Sequence, residues 1–422
     1  MSIFEQRESN IRGYSRVYPT VFDKALNAKQ IDENGKEYLD FFAGAGVLNF
    51  GHNNENMTKA VIEYIQSNGV LHSLDMSTTI KRKFMQKFVD TVLEPRNMPH
   101  RLQFIGPTGT NAVEAAMKLA RRVTGRQSIV AFNHAFHGMT LGSLAATANS
   151  YFRGAAGVPL NHVRHQSFGC ETPCMGCELG CGENSLQQLR AQYLDSSSGL
   201  EKPAAFLVEV IQAEGGVNVA DKAWLKGVEQ LAKELGALFI VDDIQVGMGR
   251  TGSFFSFDDY NIDPDIVCLA KGLGGLGTPI AMNLIKPEHD DHWSPGEHTG
   301  TFRGQSVSFV AGIEALKYFD DTVLMKDVAR KGNEMREMLS DLDARSDVQI
   351  RGKGMILGID VGDGDVAKKI VATCFENGVL LGACGTGGRV IKLIPPLTID
   401  DDDLNKGMSI VIKATQDALE AG

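Results

Sequence analysis

The sequence predicts an α/β protein: a large doubly wound domain around a mostly parallel central sheet, joined to a smaller α+β domain. Three observations carry this. The chain has 422 residues, more than one ordinary hydrophobic core serves. Its middle holds short, uninterrupted apolar runs, Ala204-Ala-Phe-Leu-Val-Glu-Val, Ala237-Leu-Phe-Ile-Val-Asp and Asp265-Ile-Val-Cys-Leu-Ala-Lys, as expected of strands buried on both faces of a parallel sheet. Residues 222 to 235 between two of these runs read as a helix, which makes the stretch βαβ material.

In chain order, residues 19 to 50 alternate short apolar runs with turn signals. Asp32-Glu-Asn-Gly before Lys36-Glu-Tyr-Leu-Asp-Phe-Phe predicts a hairpin. From about residue 55 to 310 strand and helix signals alternate. Leu102-Gln-Phe-Ile and Ser128-Ile-Val-Ala-Phe read as strands. Asn111 to Val123 between them reads as a helix, with Ala112, Ala115, Ala116, Leu119 and Ala120 on one face. Ser185 to Tyr193 is helix-like. After about residue 310 a long helical stretch leads into Gly358-Ile-Asp-Val, Val366 to Gly378 and Val390-Ile-Lys-Leu-Ile-Pro-Pro-Leu, an α+β region. The expected division is an N-terminal segment 1–54 packing with the small domain, a large domain 55–312 and a small domain 313–422.

Composition narrows the function. The net charge of −10 argues against wholesale binding of nucleic acid or anionic lipid. No apolar run approaches the roughly 18 residues that span a membrane. The opening MSIFEQRESNIRGYSR lacks the apolar core of a secretory signal. Cys268, Cys374 and Cys384 are isolated on apolar segments, as small core residues are. A cytoplasmic, reducing location without a disulfide framework is expected.

Ligands of open parallel sheets bind beyond the carboxyl ends of the strands, so the residues after each strand carry the chemistry. After Ile105 comes Gly106-Pro-Thr-Gly-Thr-Asn and then a helix. Free amides, hydroxyls and a positive dipole end there suit a phosphate, although many helices begin this way. After Val241 come Asp242 and Asp243, two carboxylates that are costly behind a buried strand unless paired or used. After Ala270 comes Lys271, where burial would lower the pKa and make a usable amine nucleophile. A structural salt bridge explains each residue alone. Together they fit pyridoxal phosphate, which needs a lysine, an acid for its ring nitrogen and a phosphate anchor.

With these residues placed, the chain resembles the class III (ω-amino) aminotransferases of fold type I, the pyridoxal-phosphate-dependent transferase fold, over nearly its whole length. VDDIQVGMGRTG is similar to the family's acid-plus-glutamine segment, AFHG to its ring-stacking segment and VEVIQAEGG to the strand carrying its switch glutamate. The resemblance implies that Lys271 holds the cofactor as an imine and shuttles protons. It implies that Asp242 pairs with the pyridinium nitrogen, Gln245 with the ring hydroxyl, and that Phe136 stacks on the ring. Gly109 and Thr110 would hold the phosphate and His137 would lie nearby. Glu209 and Glu214 would support the ring acid and the substrate-side switch. Thr301, in HTGTFRG, would reach the phosphate of a neighbouring subunit, which implies a homodimer with shared active sites. Within the class, FFAGAGVLNFGHNN, GPTGTNAVEAAMKLAR, FHGMT, GEHTGTFRG and IKLIPPLTI resemble the diaminobutyrate–2-oxoglutarate aminotransferases of ectoine biosynthesis. The implied reaction runs from glutamate and aspartate 4-semialdehyde to 2,4-diaminobutyrate and 2-oxoglutarate, in two half-reactions through a pyridoxamine form. Many ω-aminotransferases carry arginine where this chain has Met139 and Lys392. Lysine is a point charge without arginine's bidentate grip. Lys392 is the candidate contact for a substrate carboxylate, against the plainer reading of a surface lysine.

Rival readings are weaker. Gly272-Leu-Gly-Gly-Leu-Gly277 matches G-x-G-x-x-G, but Thr278-Pro279 leads into a strand-like run where a dinucleotide fingerprint needs a helix. Racemases, aminomutases and decarboxylases share the fold. Other ω-amino acids and diamines, such as ornithine, lysine and 4-aminobutyrate, are substrates of related enzymes. His134 and His137 need no metal as part of a stacking segment. Cys170, Cys174, Cys177 and Cys181 form the one unabsorbed motif. Four thiolates could close a zinc site or hold an iron–sulfur cluster, in a structural or regulatory role. Four free thiols in a Gly-rich loop are the alternative.

Overall fold

The computed structural model describes residues 2–171 and 182–421. Near the N-terminus, β1 (Phe22–Leu26), β2 (Lys29–Asp32) and β3 (Glu37–Asp40) form an antiparallel meander. The β2–β3 turn is the predicted one. Asp32 Oδ1 accepts from the amides of Asn34 at 3.0 Å and Lys36 at 2.9 Å, and Gly35 takes φ +83°. An aspartate side chain closing its own turn, followed by glycine at positive φ, is what that sequence offers.

The central sheet uses β4 (Arg101–Phe104), β5 (Ile129–Phe132), β6 (Val163–Gln166), β7 (Ala205–Val208), β10 (Leu238–Asp242), β11 (Ile266–Leu269) and β12 (Met282–Ile285). A short ribbon, β8 (Ile211–Gln212) and β9 (Asn218–Val219), follows β7. The spatial order is β4-β12-β11-β10-β7-β5-β6. Only β12 runs against its neighbours; the other six strands point the same way. Every residue of β5, β7, β10, β11 and β12 is buried, the pattern that their uninterrupted apolar sequences predict. The helix Gly109–Thr124 lays Ala112, Ala115, Ala116, Leu119 and Ala120 in the core. The helix Lys222–Leu235 matches its predicted bounds. Asp221 caps its start by accepting from the Trp224 amide, and Gly236 ends it in the left-handed region. The segment after Gly277 is strand β12, so no dinucleotide-type helix follows the glycines.

The C-terminal part carries β13 (Gln349–Lys353), β14 (Ile356–Asp360), β15 (Val379–Leu380), β16 (Gly382–Cys384) and β17 (Val390–Leu393), with the helices Gly364–Glu376 and Asp401–Glu420. β13, β14, β17 and β16 form one antiparallel sheet. β15 instead pairs in parallel with β3, which joins the N-terminal meander to this end of the chain. Cys268, Cys374 and Cys384 are buried core residues, and burial pushes the Cys374 and Cys384 thiols up to about 12. Among the described residues, no helix is long and apolar enough to cross a membrane.

Candidate active site

Because β4, β5, β7, β10 and β11 are co-directional, their carboxyl ends meet on one edge of the sheet. That edge gathers the turn 106–111, the segment 133–138, Glu209, Asp242 and Lys271. Lys271 follows β11 with φ +46°, a left-handed backbone rare for a side-chain-bearing residue. Among the described residues its Nζ has no hydrogen-bond or ion-pair partner. Burial pushes its pKa down to about 8, with Lys392 acting the same way and Glu214, Asp242 and Glu209 opposing. An amine in that state is neutral in a useful fraction near neutral pH.

Asp242 ends β10. Its Oδ2 lies 2.7 Å from His137 Nδ1, and its Oδ1 accepts from the Ile244 amide at 3.2 Å. Both side chains are buried, and among the described residues His137 Nε2 has no partner. The adjacent Asp243 serves a different purpose. It accepts from the Ser256 hydroxyl and amide, and burial raises its pKa to about 7 despite these bonds.

The turn after β4 delivers Gly109 and Thr110 to the start of the helix Gly109–Thr124, where the N-cap residue Thr108 makes no side-chain capping bond. Such a start leaves amides for an anion. The Thr110 hydroxyl is 2.7 Å from that of Thr140, and Thr140 donates to Glu114 Oε1 at 2.6 Å. The space is shaped by absent side chains. A Cβ on Gly138, at φ +133°, would lie 2.4 Å from Thr110 Oγ1, and one on Gly109 would lie 3.0 Å from Ile244 Cδ1. Thr140 and Glu114 escaped the sequence reading; a threonine directly after the AFHGM string was the available signal.

Glu214 sits in the β8–β9 turn. Lys392 Nζ donates to its Oε1, and Gln245 Nε2 donates to the same oxygen at 2.9 Å. Burial alone would raise the Glu214 pKa; the Lys392 and Lys271 charges and these hydrogen bonds outweigh it and hold the carboxyl at about 2. Lys392 is thus no surface lysine: its side chain is 1% exposed. Burial opposes its charge, and Glu214 overcomes this and raises its pKa. Glu209, beyond β7, accepts from the Phe136 amide at 3.0 Å. Burial, reinforced by Asp242, pushes its carboxyl well above the usual range. Phe136 packs edge-on against Phe152 at 5.6 Å and lines a cavity of about 350 Å³ that Glu214, Asn149 and Thr386 also border.

Thr301 is exposed, in a loop that returns over the turn 106–111: a Cβ on Gly300 would lie 3.7 Å from the Gly106 nitrogen. Met139 is likewise exposed. His134, at φ +67°, has its Nδ1 3.4 Å from the Thr386 hydroxyl, while His137 faces Asp242, so the two histidines have separate partners. Cys170 is buried and bridges to Ala220. Cys174, Cys177 and Cys181 lie outside the described residues. Among the described residues, no group of three or more histidines, cysteines, aspartates or glutamates is placed to hold a metal ion. The zinc or iron–sulfur expectation therefore finds no support here.

A family model described as aminotransferase class-III matches residues 12–415. The chain is 45% identical over 423 residues to the diaminobutyrate–2-oxoglutarate transaminase of Oceanobacillus iheyensis, covering 100% of this chain and 97% of that protein. It is 46% identical to the protein of the same name from Streptomyces coelicolor, covering 99% and 98%. Among solved structures, the ornithine aminotransferase of Toxoplasma gondii superposes with a TM-score of 0.84 at 26% identity, covering 99% of this chain and 94% of that one.

Proposed function

Because the chain belongs to the class III aminotransferases, we propose that it is a pyridoxal-phosphate-dependent diaminobutyrate–2-oxoglutarate transaminase. It would convert glutamate and L-aspartate 4-semialdehyde to 2-oxoglutarate and L-2,4-diaminobutyrate, in the cytoplasm, and so supply ectoine synthesis. The observation carrying this is the meeting, on one sheet edge, of a lysine that has no hydrogen-bond or ion-pair partner among the described residues, a histidine-braced aspartate and a helix start without a side-chain cap. The substrate assignment draws on the full-length likeness to the two bacterial transaminases.

The residues fit the cofactor by charge and by space. Pyridoxal phosphate, when bound, supplies an electron sink that makes a substrate α-proton removable. Lys271 would attach it through Nζ, then accept and return a proton at that nitrogen. Asp242 would keep the ring nitrogen protonated, with His137 fixing the carboxylate's orientation. Gly109 and Thr110 would hold the phosphate, Phe136 would cover the ring and Gln245 would contact its hydroxyl. Glu209, beside Asp242, would support that acid. Lys392 would receive a substrate carboxylate, and Glu214 would hold Lys392 in place between substrates. Thr301 would complete the phosphate site of a partner subunit in a homodimer. No step assigned here uses the cysteine run.

A panel of amino donors with 2-oxoglutarate, read by glutamate formation, tests the assignment. Diaminobutyrate should be the best donor, reacting at its 4-amino group. A clear preference for ornithine or 4-aminobutyrate would overturn it.

A further inference from the structure

Residues Ala43–Gly46 form a left-handed turn, with φ of +45°, +57°, +57° and +90° in succession. Two of the four are alanines, and L residues rarely hold this backbone. A strained conformation persists only where its surroundings fix it. Here the fixing group is Asp40, which is fully buried. Its Oδ1 accepts from the amides of Phe42 at 2.9 Å and Ala43 at 2.7 Å, the entry to the turn. Its Oδ2 lies 2.7 Å from His52 Nε2 and accepts from Gln30 Nε2 at 3.1 Å. On either side, the Phe41 carbonyl accepts from the Ile394 amide at 2.9 Å and the Asn49 carbonyl from the Leu397 amide at 2.7 Å.

The turn presents one group to the candidate site. The Ala45 carbonyl accepts from Gln245 Nε2 at 2.9 Å, and that nitrogen also donates to Glu214 Oε1 at 2.9 Å. Both protons of the Gln245 amide are thereby committed, one to the strained turn and one to the carboxylate that Lys392 grips. Gly46 keeps the approach close: a Cβ there would lie 3.0 Å from the Gln245 carbonyl.

We propose that buried Asp40, paired with His52 at its outer side, is a positioning device that holds the left-handed turn Ala43–Gly46, so that the Ala45 carbonyl sets Gln245 and, through it, Glu214 against Lys392. The inference rests on the roles proposed above for Gln245 and Glu214. Asp40 and His52 touch no reacting atom and act through the turn.

The test uses the cofactor-loaded protein and the variants Asp40→Ala, Asp40→Asn, His52→Ala and Gly46→Ala. Two quantities are read besides melting temperature: the pH midpoint of the visible band of bound cofactor, and KM against kcat for glutamate. Asp40→Ala and Gly46→Ala should move the band midpoint and raise KM for glutamate by roughly tenfold or more, since a small misplacement is enough. Asp40→Asn keeps Oδ1 for the turn amides and should restore both quantities most of the way. His52→Ala, at a partly exposed site, should shift both in the same direction to a lesser extent, and it reads the effect if Asp40→Ala fails to fold. Lower melting temperatures with an unmoved band and an unchanged KM would overturn the proposal. The band titration needs no substrate, so it separates a failure of this inference from a wrong substrate assignment.

Discussion

Lys271 shows how position alone changes the acidity of a side chain. It ends a fully buried strand, and burial drives its pKa to about 8. The sign of the linked stability effect follows. Below pH 8 the folded protein buries a cation that the unfolded chain solvates, and stability rises with pH between about 8 and the ordinary lysine value of 10.5. Lys271→Met should therefore make the cofactor-free protein more stable at pH 7, by roughly 3 kcal/mol, with the gap closing toward pH 10. Thermal melting across that range reads it. The Glu214–Lys392 pair has the opposite sign. Its carboxyl is depressed to about 2, so the stability it contributes is full above pH 4.5 and lost as pH falls toward 2. Lys392→Met strands a largely buried carboxylate and should cost about 3 kcal/mol at pH 7. Denaturant titration at pH 7 and pH 3 should show that penalty shrinking in acid.

Among the elements, the turn 106–111 and the segment 133–138 are built as one unit. Gly138 reaches Thr110 so closely that no side chain fits, and Thr140 and Glu114 tie the two segments together. Gly138→Ala should weaken pyridoxal phosphate binding about tenfold or more, measured by titrating the stripped protein, because its Cβ would displace the Thr110 hydroxyl. Much of this edge was legible in the sequence. Buried parallel strands read as apolar runs, and the residue after each run must lie at the carboxyl edge, which located Lys271, Asp242 and the 106–111 turn. Pairings between distant side chains were not legible. His137 meets Asp242 across 105 residues, and Lys392 meets Glu214 across 178. Periodicity says which face a residue occupies, never which distant side chain it touches. The Ala43–Gly46 turn was hidden for another reason: Phe-Ala-Gly-Ala-Gly announces small residues, while its handedness is imposed by Asp40 from outside.

On the scale of the whole molecule, Arg250 connects three regions. It is fully buried after β10 and, among the described residues, has no carboxylate partner. It donates instead to the Met355 carbonyl at 3.1 Å, to the Pro395 carbonyl and to Asn49 Oδ1 at 2.7 Å. The N-terminal segment, the central sheet and the C-terminal part are thereby joined at one guanidinium, whose pKa burial draws down to about 9. Arg250→Met would leave those acceptors unsatisfied and should cost about 3 kcal/mol or more in chemical denaturation. The same joining brings Lys392 and Gln245 to the edge that holds Lys271, so one covalent label can report on the assembled site. The most direct measurement is borohydride reduction of the protein loaded with pyridoxal phosphate, followed by peptide mass spectrometry. The cofactor should be found on Lys271, with the visible band bleached and no label in Lys271→Ala. A label on another lysine, or turnover that survives Lys271→Ala, would contradict the assignment of this edge as the catalytic site.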